Sequence, residues 1–399
     1  MRNAIAVVLA TLAFACAGLS QTAPRTIVLD GTVLEKRRIE FASRKDDGTR
    51  KFAELIKTAD KLVKAGKTFS VTKKTQTPPS GSKNDYMSLG PYWWPDPTKP
   101  NGLPYVRRDG ERNPEIKNIS DDTEFNNMLD DSETLALAYF FTKDEKYARH
   151  GATILRTWFL DPKSRMNPNL NFGQGIPGIT PGRGIGMIET RAMYRAIDSA
   201  ILLQRSQAWP ASDQAALKSW FREFLKWSIE SPLGKDEADE RNNHGTYYDV
   251  QVIASALFTD QTELAKKQLD VTKARIASQI EPDGSQPHEL ARTLSWGYTN
   301  MNAFGFATIA RLGETAGVDL WNYQTKDGRG IRKAIEWIAP FASGGKEWKH
   351  KQISPRKFDR TIPLMEIAAV RYKNPSYSAI AKQLRKPEDK EVFRELGMY

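Results

Sequence analysis

From residue 48 to residue 385 the chain repeats apolar side chains at helical spacing in one stretch after another, with short polar links between them. Residues 48–65 place Phe52, Leu55, Ile56, Ala59, Leu62 and Val63 on one face, and Gly66 follows where a C-cap belongs. Phe125, Met128, Leu129 and Leu135 lead to Phe141 in the same way. Thr142-Lys143-Asp144-Glu145 then reads as a capping box, opening a helix that carries Tyr147, Ile154, Leu155 and Trp158. The pattern predicts further helices over 187–207, 212–230, 246–258, 261–280, 299–316, 328–342, 361–372 and 375–385. Val/Ile-rich alternation is scarce outside residues 26–40, and no strict repeat occurs. Helices this closely spaced bury their apolar faces against one another. The expected fold class is all-α, built from stacked antiparallel helix pairs.

The first twenty residues stand apart. Arg2 precedes the apolar run from Ala4 to Leu19, and small residues surround Gly18-Leu19-Ser20, as in an export signal. We therefore read residues 1–20 as a signal peptide, residues 21–399 as a single catalytic domain, and the location as periplasmic or secreted. Cys16 is the sole cysteine, so cleavage near Ser20 leaves no disulfide and no thiol nucleophile. Lipid anchoring through Cys16 is the less favoured reading, because Leu12-Ala13-Phe14-Ala15 fits a lipid-attachment box poorly. No later run supplies the roughly 20 apolar residues of a membrane span. Lys and Arg number 59 against 48 Asp and Glu, a net +11 that becomes +10 without Arg2. Such a charge favours a polyanionic partner. An exported protein seldom meets nucleic acid, so a secreted polyanion is the better partner.

Two segments are too long to be mere connectors. Residues 72–119 are rich in Pro, Gly and aromatics, and residues 161–186 hold many Gly and Pro. Loops of this length in a compact domain tend to be lids or binding loops. The first contains Asn84, Tyr86, Tyr92, Trp93 and Trp94, whose aromatic faces suit sugar rings, with Arg107 and Arg108 beyond to pair with carboxylates. The alternative is a loop held to the body by its own aromatics.

Two polar clusters carry the candidate chemistry. Glu240-Arg241-Asn242-Asn243-His244-Gly245 sits where a helix begins, and places amide donors beside a group that exchanges protons near neutral pH. The structural alternative is an N-cap by Asn243 with His244 as a hydrogen-bonded core residue. Residues 283–300 bring together Gln286, Glu289, Arg292, Trp296, Tyr298 and Asn300. An arginine holds a carboxylate bidentately, and a cation beside a phenol lowers its pKa towards that of a useful base. Alternatively, Arg292 pairs with Glu289 at i,i+3 and Tyr298 is core. Zinc and calcium signatures, a Gly-x-Ser-x-Gly elbow and a dinucleotide fingerprint are all missing, so neither metal nor cofactor is expected.

Tyr86-Met-Ser-Leu-Gly-Pro-Tyr-Trp-Trp-Pro-Asp-Pro97, Asn242-Asn-His-Gly245 and Gly284-Ser-Gln-Pro-x-Glu-Leu-Ala-Arg292 together resemble the alginate lyase superfamily of polysaccharide lyases, over about residues 50–340. The resemblance implies an incomplete (α/α) toroid with a long cleft, cutting acidic polysaccharide by β-elimination. It maps the active centre onto Asn243, His244, Arg292 and Tyr298. Asn84, Tyr86, Tyr92, Trp93, Trp94, Arg191, Asn242, Gln286 and Glu289 are the expected sugar contacts. Gly297 departs from the many relatives that carry His there, which removes a second imidazole.

Elimination takes the C5 proton of a uronate. Asn243 and Arg292 would stabilise the enediolate-like charge, while Tyr298 or His244 takes the proton. Alginate is the first substrate to expect and β-1,4-glucuronan the second. Two other readings remain at this point: a glycoside hydrolase using Asp85 and Glu289, and a non-catalytic polysaccharide binder using the basic Lys346 to Arg360 region with Trp348.

Overall fold

A computed structural model of the chain describes residues 23–43, 48–386 and 393–398. The expected signal and Cys16 lie outside the described residues. Helices α1 (Gly31–Ala42) and α2 (Gly48–Ala65) come first. The alternating run at 26–40 is thus mostly helical, because Asp30 caps α1 by accepting from the Thr32 and Val33 N–H groups. Next come three short strands in the first long loop, β1 (Met87–Leu89), β2 (Trp93–Trp94) and β3 (Val106–Arg107). Helices α3 (Asp121–Thr142) and α4 (Glu145–Phe159) follow and pack together across a left-handed Lys143. The cap of α4 is Asp144, whose carboxylate accepts from the Lys146 N–H, and not the expected Thr142 box.

The second long loop holds β4 (Phe172–Gly175) and a 3₁₀ turn at Gly184–Thr190. Seven helices continue: α5 (Tyr194–Leu203), α6 (Ala211–Glu230), α7 (Pro232–Asp239), α8 (Asn243–Phe258), α9 (Thr262–Gln279), the single-turn α10 (Pro287–Leu290) and α11 (Ser295–Thr315). Last are α12 (Ile331–Ala342), α13 (Thr361–Arg371) and α14 (Pro375–Leu384). Helix pairs α3/α4, α8/α9 and α13/α14 pack side by side, and α8 also packs on α11. Helix α8 is buried on nearly every face, while Asn242 and His244 at its start stay partly exposed.

The two long loops are one platform. Strand β1 runs parallel to β4, with Met87 opposite Phe172 and Leu89 opposite Gly175, while β2 pairs antiparallel with β3. Asp85 accepts from the Asn167 and Asn169 amides at 2.8 and 3.2 Å, stitching the loops a second time. The platform is rooted by a fully buried ion pair, Lys74 Nζ to Asp121 at 2.9 Å. Lys74 also donates to the Val71 and Lys83 carbonyls, and Asp121 accepts from the Met87 N–H. Among the described residues no helix is long and apolar enough to cross a membrane.

Candidate active site

The site begins at the N-terminus of α8. Asn242, not Asn243, is the cap: its side-chain oxygen accepts from the His244 N–H at 2.8 Å. Asn243 therefore occupies the first helical turn, fully buried. Both its backbone N–H and its Nδ2 donate to the Glu289 carboxylate, at 2.6 and 2.8 Å. Burial pushes the Glu289 carboxyl up to about 7, against the Asn243 donors that favour its ionised form. His244 lies beside it, its Nδ1 3.1 Å from Glu237 Oε1 of α7. A side chain at Gly245 would strike the Glu240 carbonyl and the Arg275 guanidinium, so only glycine permits this close crossing.

The second half of the site joins α10 and the start of α11 to the first loop. Arg292 Nη2 lies 2.7 Å from Asp109 Oδ1, and Nε lies 3.3 Å from Oδ2. The same Nη2 donates to the Tyr298 hydroxyl at 2.8 Å, and the guanidinium sits 3.8 Å from the centre of the Tyr298 ring. Thr293 donates to Asp109 from its N–H and its hydroxyl. Although burial pushes the Asp109 carboxyl up, Arg292 and Thr293 outweigh it and hold Asp109 well below the usual carboxylate range. The Tyr92 and Tyr298 hydroxyls are 2.7 Å apart. Two expectations change here. Arg292 pairs with Asp109 rather than Glu289. The Tyr298 phenol is raised rather than lowered, because burial and the Tyr92 hydroxyl outweigh the arginine.

Glu289 links the halves: its neighbours in the electrostatic sense are Asn243, Arg292 and His244. Two further guanidinium groups, those of Arg183 and Arg191, form no ion pair among the described residues. Arg183 donates to the Gln174 side chain and carbonyl and lies 5.8 Å from the Trp93 ring, and burial pushes it down to about 10. Arg191 donates to the Ile188 carbonyl, and burial lowers it too. Both suit an anionic ligand.

Several expected sugar contacts already have partners within the fold. Tyr86 is wholly buried and donates to Glu189, and Gln286 is wholly buried between the Thr299 carbonyl and Asn302. Glu289 is 1% exposed and satisfied by Asn243, so it does not present its carboxylate at the surface. Asn84 ties the loops by donating to the Arg165 carbonyl, and Asn242 is the cap. Tyr92, Trp93, Trp94 and Arg191 remain half-buried. Trp94 is turned to the Glu111 carbonyl at 2.9 Å. The hydrolase pair does not assemble, since Asp85 and Glu289 bond to different neighbours, Ser80 and the loop amides against Asn243. Trp348 is no free binding surface either: it packs edge-on against Trp296 at 5.0 Å and donates to Ser295, buttressing the turn that carries Tyr298.

Sequence reasoning missed Glu237 and Asp109. The Ser231-Pro232 pair, a cap followed by a first-turn proline, marks the start of α7 and would have revealed that helix. Nothing local distinguishes Asp109 from the other charges of its loop.

A family model described as alginate lyase matches residues 70–348. An alginate lyase from Bacteroides ovatus of known structure is 37% identical, with a TM-score of 0.87 over 94% of this chain and 99% of that one. The A1-III alginate lyase of Sphingomonas species A1 shares 18% identity and a TM-score of 0.54 over 92% and 98%, a likeness of fold. A variant of A1-III complexed with a tetrasaccharide aligns at 17% identity and a TM-score of 0.58. No curated protein matches the chain significantly. The fold is the all-α toroid of these structures, and with a family match across most of its length the chain belongs to the alginate lyase family, as a polysaccharide lyase.

Proposed function

We propose that the enzyme cleaves a 1,4-linked polyuronate by β-elimination, with alginate the first substrate and β-1,4-glucuronan the second, and that residues 1–20 export it. The observation that carries this reading is the convergence of an imidazole, His244, and a phenol under a guanidinium, Tyr298 and Arg292, around the Asn243–Glu289 pair. Breaking the C5–H bond delivers its electron pair to a new C4–C5 double bond, and the C4–O bond breaks with a proton passing to the departing oxygen. Proton-transfer groups and positive charge are what that step requires. Arg183 and Arg191, without carboxylates of their own, supply charge for the uronates.

Arg292 has a different part from the fork expected on the substrate. Asp109 already occupies its Nε and Nη2, so the guanidinium serves the Tyr298 hydroxyl and favours its phenolate. Purified protein incubated with polymannuronate, polyguluronate, glucuronan and other polyuronates is expected to release the ultraviolet-absorbing 4,5-unsaturated product. Folded protein that stays silent on every polymer would refute the reading, and reducing ends without the chromophore would point to hydrolysis. Asp109→Asn is expected to lower turnover by about 10–10²-fold, the equivalent of about 1.5–3 kcal/mol for a hydrogen bond to a charged group. Steady-state rates on the preferred polymer check this.

A further inference from the structure

Glu237 is wholly buried, and His244 is the one side chain its carboxylate bonds among the described residues: Oε1 meets Nδ1 at 3.1 Å and Oε2 has no partner. Its place is built from both ends of α7. Ser231 caps the start by accepting from the Gly234 N–H. At the other end Arg275, from α9, donates to the Ala238 and Glu240 carbonyls at 2.6 and 2.8 Å while paired with buried Asp249. A carboxylate carried on a helix fastened this way is held in place, and burying one costs free energy that a merely structural hydrogen bond would not require.

We propose that Glu237 is the positioning residue that decides which C5 epimer the enzyme can process, through the ring nitrogen that His244 offers to substrate. The proposal rests on the lyase reading above. A carboxylate at Nδ1 selects the tautomer protonated there, so Nε2 carries the lone pair. Nε2 has no protein partner among the described residues and is not sealed from solvent. In D-mannuronate and D-glucuronate the C5 hydrogen and the C4 oxygen lie on one face of the ring, where Tyr298 alone can serve both. In L-guluronate, the C5 epimer, they lie on opposite faces. A second base is then needed, and His244, which with Arg292 is an electrostatic neighbour of Glu289, is the other proton-exchanging group of the site.

The charged groups around this pair are Asp236 and Glu240 at the end of α7, Arg183 from the second loop, and Glu289 from α10. None of them bonds His244, so replacing Glu237 leaves the imidazole without its orienting partner. Gln can offer an N–H to Nδ1 and favour the opposite tautomer, while Leu fills the volume without any partner.

The test measures Glu237→Gln and Glu237→Leu on polymannuronate and polyguluronate at pH 8, with ¹⁵N shifts of His244 in both proteins. Turnover on polyguluronate is expected to fall by about 10²–10⁴-fold. Turnover on polymannuronate should fall far less, by about tenfold or below, and the His244 shifts should pass from the Nδ1–H to the Nε2–H form in Gln. An equal fall on both polymers, no fall on either, or a native enzyme that cuts polymannuronate but never polyguluronate overturns the proposal. If Leu does not fold, the Gln ratio and shifts decide alone. Failure of the lyase reading itself looks different, since no polymer would then yield unsaturated product.

Discussion

Tyr298→Phe is expected to reduce turnover by about 10²–10⁴-fold while the protein stays folded, because the substitution removes one hydroxyl and keeps the ring under Arg292. The lost hydrogen bonds to Tyr92 and Arg292 should cost only about 1–2 kcal/mol of stability. The pH dependence carries a second signature. Burial holds the phenol above its ordinary pKa, so the phenolate that the proposed elimination calls on is scarce at neutral pH. Turnover of the native enzyme on polymannuronate should therefore climb with pH, by up to about tenfold per unit, until stability gives way. Loss of stability is expected in that same range. A phenol whose folded pKa is raised contributes stability in full below the unfolded value near ~10, and that contribution fades as pH rises towards the folded value. A pH–rate profile of native and Tyr298→Phe protein, with melting curves alongside, tests each part. Near-native turnover in Tyr298→Phe would remove the proton-transfer role.

The largest effect on stability is expected from Lys74→Met. The Lys74–Asp121 pair is fully buried, and removing the lysine leaves a carboxylate with no cation in a dry site. One-sided loss of such a pair costs about 3–5 kcal/mol, far more than the pair is worth against apolar substitutes. Denaturant unfolding measures it directly. Burial already pushes the Asp121 carboxyl up to about 6, and without Lys74 it rises further. The sign follows: the penalty comes from the charged form, so it should be large at pH 8 and shrink as pH falls and Asp121 takes a proton. Adding Asp121→Asn should recover much of the loss, because the amide oxygen still accepts from the Met87 N–H without bearing a charge. Because the pair roots the loop platform, the single variant should also loosen Tyr92 and Asp109 over the turn at Arg292 and Tyr298.

What could be read from the sequence depended on distance along the chain. Helix spans came out within a few residues for α6, α9, α12 and α14, since 3.6-residue periodicity and local caps are set by residues three or four apart. The run at 26–40 misled for the same reason: its alternation is local, but the Asp30 cap and burial of Leu34 against the core favour the helix. Motif order singled out Asn243, His244, Arg292 and Tyr298 as candidates, because each lies in a short cluster of polar residues at or just before a helix start.

The partners of those four residues were not legible. Asp109 meets Arg292 across 183 positions, Tyr92 meets Tyr298 across 206, and Glu289 reaches Asn243 across 46. Burial was equally hidden. Tyr86 and Gln286 have the side chains of sugar contacts and yet lie in the core, and the phenol that a neighbouring cation should have acidified is raised by desolvation. By itself the sequence determined the all-α class, the family motifs and the chemical groups of the candidate site, all of which follow from residue type and short-range spacing. Only the tertiary structure decided which groups are paired, which are dry and which face one another. Ion pairing and desolvation depend on distances in space, and the packing of α7, α8, α10 and the loop platform sets those distances.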